Sequence, residues 1–169
     1  MKLDLILNFE IFGASRSGGT MSDWSKKAAE RFQTNKDTKL IRDKKILHDA
    51  DICKQRSEDL WDQLTGKFAE ECMSFNSEPG MTNTFSFSRN GSRQFTLSRE
   101  GMSHNIKGEF DPTNSRFNFI SSTWKLPHFR IEVRVPEGSS EAIMVAENGA
   151  SIDLDGFVTD HLDSLLGIS

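Results

Sequence analysis

Between Met1 and Glu78 the chain has no proline, and part of that stretch keeps a strict helical step. Ile46, Ala50, Cys53, Ser57, Leu60, Leu64, Phe68, Cys72 and Phe75 follow one another at intervals of three or four. These eight steps cover 29 residues, close to the ~3.6-residue period of an α-helix. Leu47 and Trp61 widen the stripe, and Leu40 and Ile41 extend it upstream. The spacing predicts one long helix from about Thr38 to Asn76, ending before Pro79-Gly80. At ~1.5 Å per residue it would run about 57 Å, more than a small domain is wide. Part of such a helix must protrude or pack on a partner. A period of 3.6 rather than 3.5 does not indicate a regular coiled coil.

Upstream, Trp24, Ala28 and Phe32 stand at i, i+4 and i+8, a short amphipathic face that Ser22 or Asp23 can cap. Gln33 to Thr38 holds weak helix formers and capping residues, so a break or kink is expected there. Charge is polarised across this half. Met21 to Lys45 carries eight basic and four acidic residues, and Ile46 to Asn76 three basic and seven acidic. In an unbroken helix that order opposes the macrodipole, which favours anions at the start. A first helix folded back on the second would relieve it, and so would two chains paired antiparallel; a plain solvated face is the simplest alternative.

Beyond Pro79 the period changes from helix to strand. Phe85 and Phe87 alternate with serines, as do Phe95 and Leu97 with polar residues, around Asn90-Gly91, a hairpin signal. Parity decides the loop. A two-residue turn would put Phe85 and Phe95 on opposite faces, so a three-residue loop with a left-handed Gly91 and a bulge is expected. At Glu100-Gly101 a two-residue loop would pair Leu97 with His104 and Phe95 with Ile106. The apolar face would then continue through Met102, His104, Ile106, Gly108 and Phe110. A four-residue loop after Asp111 sets Phe110 opposite Phe117. Phe129, Ile131, Val133 and Val135 form a further strand, and Ala142 to Val145 a last short one. Asp153 or Asp155 can cap a closing helix with Val158, Leu162, Leu165 and Leu166 inward.

The expected fold is α+β: an N-terminal helical segment with one long helix packed on a five- to six-stranded antiparallel meander sheet, closed by a C-terminal helix. Residues 21–169 read as one domain, helical over 21–76, sheet over 81–146 and helix over 153–167. Residues 1–20 read either as an upstream strand, from the alternation of Leu3, Leu5, Leu7, Phe9 and Ile11, or as a leader ahead of a start at Met21. No apolar run approaches the ~20 residues of a membrane span, and no secretory signal pattern is present. A cytoplasmic setting with reduced thiols is the expectation, and no membrane association.

Chemistry-bearing patterns are sparse. Cys53 and Cys72 lie 19 residues apart on one helix, ~28 Å along the axis, against the ~7 Å a disulfide tolerates. His48 beside Asp49 and Asp51 resembles a metal pair, but neighbours on a helix point ~100° apart, so no metal site is expected. The acids near Asp153, Asp155 and Asp160 lack the spacing and closing Glu of a calcium loop. Phosphate-loop, dinucleotide and zinc patterns are missing, so no cofactor is expected. The net charge is −4 and the polar sheet face lacks stacking aromatics, so nucleic-acid binding is not expected.

The leading expectation is a small cytoplasmic, non-enzymatic protein of bacterial type. It would act through protein–protein contacts or self-association via its long helix, with a homo-oligomer or a protein partner. The alternative is a small-molecule pocket between helix and curved sheet, lined by His104, Met102, Phe85, Phe87, Phe95, Trp61 and Phe68. A second alternative is a hydrolase using His104 or the His48, Asp49 and Asp51 cluster. No catalytic residue is assigned.

Overall fold

A computed structural model describes residues 21–122 and 128–168. The alternating stretch and leader reading of residues 1–20, with the choice between Met1 and Met21, lie outside the described residues. The order of elements is α1 (Met21–Ser77), β1 (Phe85–Asn90), β2 (Gln94–Arg99), β3 (Asn105–Asp111), β4 (Arg116–Ser121), β5 (Phe129–Arg134), β6 (Ile143–Ala146) and α2 (Leu154–Leu166). This is the expected α+β class, with an open six-stranded antiparallel sheet in sequence order. The chain divides into two compact units, Met1–Asp43 and Lys44–Ser169.

In the first unit the described residues are helical, and from Asp23 onward their side chains are exposed except for half-buried Ala28. The break expected over 33–38 is absent, because the weak helix formers there turn their side chains back on the helix. The Thr34 hydroxyl donates to the Glu30 carbonyl at 2.9 Å, and Thr38 donates to Thr34 at 2.8 Å. Gln33 donates to the Asp37 carboxylate at 3.0 Å, a one-turn pair. These local bonds satisfy the groups that would otherwise compete with the helix.

In the second unit, residues 44–77 of α1 lay the predicted stripe on the sheet. Ser57, Leu60, Trp61, Leu64, Phe68 and Cys72 are buried, whereas Ile46 and Ala50 at the head of the stripe are exposed. The inward strand faces meet them with Phe95, Leu97, Ile106, Phe110, Phe117, Phe119, Ile131 and Val133. The Trp61 indole N–H donates to the Ser92 carbonyl at 2.9 Å, tying the helix to the first hairpin. A buried Trp needs such a partner.

The first hairpin follows the parity argument. Phe87 pairs with Leu97 and Asn90 with Gln94, leaving the three-residue loop 91–93 with Gly91 at φ +70°. Phe110 faces Phe117 as expected. The second hairpin differs. Leu97 pairs with Ile106 and Phe95 with Gly108, a shift of two residues that keeps the face but lengthens the loop. The reason is Gly108: a Cβ there would lie 2.2 Å from the Phe95 ring, so the bare backbone makes room for the aromatic. Met102 and His104 consequently fall in the connection ahead of β3, and not on the inward face of a strand.

Asp153 caps α2, accepting from the Gly156 N–H at 3.1 Å, and Asp155 instead pairs with Lys67 of α1 at 3.0 Å. The last turn of α2 has no basic residue of its own. Arg99 of β2 supplies one, donating to the carbonyls of Leu166 at 2.9 Å and Leu165 at 3.4 Å. Among the described residues, no helix is long and apolar enough to cross a membrane.

Candidate functional site

The seven residues expected to line a pocket divide into three groups. Trp61, Phe68, Phe85 and Phe95 are buried in the core. Trp61 and Phe95 have ring centroids 5.7 Å apart, Phe68 and Phe95 5.3 Å, and Trp61 also meets Phe117 at 5.2 Å. At those separations the rings touch one another, so these side chains fill the space between helix and sheet. Phe87 is half-buried and stacks on Phe95 at 5.4 Å. Met102 is exposed and His104 half-buried, both in the loop before β3.

Among the described residues, a groove of about 580 Å³ opens at the β1 edge of the sheet. Ala69, Cys72, Met73 and Asn76 of α1 form one wall; Asn83, Phe85, Ser86, Phe87 and Glu100 form the other. Its most structured feature is Asn76. The side-chain oxygen accepts from the Phe85 N–H at 2.9 Å and the amide donates to the Phe85 carbonyl at 2.7 Å. These are the two bonds a residue of a neighbouring strand would make. Sequence reasoning used Asn76 only as a helix end; an Asn in a last helical turn carries no signal of a partner nine residues on.

The groove's lining is poor in chemistry. Glu100 is its one carboxylate, and the Cys72 thiol is pushed up to about 12 by burial, with the nearby Glu71 charge adding to the effect. It is therefore a protonated thiol at neutral pH and not a nucleophile. Burial also raises Cys53, against a backbone hydrogen bond from Val135 that lowers it.

His48 and Asp51 are exposed on α1 and Asp49 is half-buried. Among the described residues, no group of three or more His, Cys, Asp or Glu is placed to hold a metal. His161 is buried, its Nδ1 2.7 Å from the Phe157 carbonyl and its ring 4.0 Å from that of Phe157. Burial lowers its pKa, opposed by the bond to Phe157 and the Asp160 charge. The helical spacing already placed His161 on α2; what it could not show was the ring of Phe68, Phe119 and Phe129 around it.

The outward sheet face carries a charge ladder. Arg116 bonds Glu132 at 3.2 Å and Arg134 pairs with the same carboxylate. Arg134 chiefly, with Arg116 and Arg130, holds the Glu132 carboxyl below its usual range. Comparison with protein-family models, with curated proteins and with solved structures returns no match to this chain.

Proposed function

We propose that the protein acts by binding another protein chain, a second copy included, through α1. The observation that carries this reading is a series of large apolar side chains left uncovered on that helix. Trp24 and Phe32 are each 72% exposed, and Ile41 and Leu47 nearly as much. Apolar side chains of this size gain about 1.5–3 kcal/mol each when fully covered, so several together favour a covering partner. The polarised charge of the helix suits an antiparallel mate, its basic first part against an acidic later part. We set the protein in the cytoplasm, where Cys53 and Cys72 stay as free thiols.

The test is the solution mass by sedimentation velocity across a wide concentration range, joined to a pull-down. The wild-type chain is expected to self-associate or to retain a partner, and Trp24→Glu with Phe32→Glu to lose it. A monomer at every concentration that also retains no partner overturns the reading.

A second reading, small-molecule binding, rests on the 580 Å³ groove, which Phe85 and Phe87 of the expected lining line together with Met73. A thermal-shift screen checks it, since Met73→Trp would occupy the groove and abolish any ligand's shift.

A further inference from the structure

The two edges of the sheet are treated differently by the chain. At β6 the polypeptide turns back and covers its own edge. The Ile152 N–H donates to Met144 at 3.0 Å, Ala146 donates to Ala150 at 2.8 Å, and Val145 bridges Ser151. At β1 no segment returns among the described residues. The Glu100 N–H donates to the Thr84 carbonyl at 2.9 Å, which fixes the phase of the ladder. In an antiparallel pair, alternate residues bond inward, so Ser86, Ser88 and Asn90 bond to β2 while Phe85, Phe87 and Arg89 point their backbone groups outward. Asn76 takes up the outward groups of Phe85. Those of Phe87 and Arg89 have no partner strand among the described residues.

We propose that this edge pairs antiparallel with the same edge of a second copy, in the register that sets Phe87 opposite Arg89. Two outward residues spaced by two are complementary to themselves: each Phe87 exchanges both backbone bonds with the Arg89 of the other copy, giving four hydrogen bonds about a two-fold axis through Ser88. The neighbouring registers fail. Phe87 opposite Phe87 would need the Phe85 position that Asn76 occupies, and Arg89 opposite Arg89 would set Phe87 against the turn residue Gly91, whose φ is +70°. β1 contains no proline, no lysine and no bulge, and its one charge, Arg89, is drawn onto Asp62 of α1. This second contact does not depend on the association proposed for α1.

In this register the two Ser88 residues face each other as a non-hydrogen-bonded pair, with Cα atoms ~4.5 Å apart, inside the ~4.4–6.8 Å of a disulfide. Ser88 is exposed and its side chain lies on the sheet face away from the core, so Ser88→Cys leaves the fold intact. Ser86→Cys is the matched control, because two such residues would sit ~13 Å apart. Under mild oxidation Ser88→Cys is expected to give a covalent dimer at least tenfold faster than Ser86→Cys, with the 88–88 link mapped by mass spectrometry. Equal rates, or a link through Cys53 or Cys72 instead, overturn the proposal. Trp24→Glu with Phe32→Glu added to Ser88→Cys separates the two contacts. Persistence of the link while the α1 association is lost supports the edge. Loss of the link in Ser88→Cys itself, while the wild-type chain still associates, removes the edge and leaves the α1 reading standing.

Discussion

Two stretches of α1 hold the same kinds of residue in different surroundings. From Ser57 to Cys72 the stripe is buried under the sheet, with Trp61, Leu64 and Phe68 fully covered. From Trp24 to Leu47 the large apolar side chains are exposed. Amphipathic spacing states that a face can be buried; what lies opposite decides whether it is. The buried stretch stabilises the fold, and the exposed one is the surface on which the proposed association rests. Tryptophan gives the sharpest contrast, since Trp24 and Trp61 occupy one helix in opposite conditions.

The largest expected effect is therefore at Trp61. Trp61→Ala should cost about 3–5 kcal/mol in urea unfolding followed by circular dichroism. Trp24→Ala should stay within about 0.5 kcal/mol and change only the association. Equal losses at both would erase the contrast. Gly108→Ala comes next. Its methyl would collide with the buried Phe95 ring, and a loss of about 1–3 kcal/mol is expected by the same measurement. Asn76→Leu keeps helix propensity but strips both bonds from Phe85, for about 2 kcal/mol and faster amide exchange along β1. Asp153→Ala removes the α2 cap, for about 1 kcal/mol.

The least of these effects is a slope. His161 is held neutral by burial, so its folded pKa lies below the ordinary 6.5. The unfolded chain then binds the proton first, and stability falls as protons are added. The contribution is complete above about pH 6.5 and is lost as pH drops from there through the folded value. His161→Leu should flatten the acid side of the stability profile; an unchanged profile would show that His161 does not titrate on unfolding.

The sheet was largely legible because strand periodicity is a local signal. The parity of Phe85 against Phe95 fixed an odd first loop, and Phe110 against Phe117 fixed the third turn. The second hairpin lies two residues from the expected register because face parity is blind to a shift of two. Only the Phe95 ring above Gly108 selects the true register. That shift took Met102 and His104 out of the expected pocket. The break expected near Thr34 and Thr38 failed for a similar reason, since those side chains can cap either their own helix or its end.

Spacing along the chain is enough to say which residues could form helices and strands and which faces are apolar. Folding in three dimensions settled which apolar faces found cover and which sheet edge has no partner strand among the described residues. Asn76 on Phe85 and Arg99 on the end of α2 are contacts between residues distant in sequence, and the outward backbone of Phe87 and Arg89 meets no strand among the described residues. Neither composition nor periodicity encodes them, since both describe a residue relative to its chain neighbours and not to what folds against it.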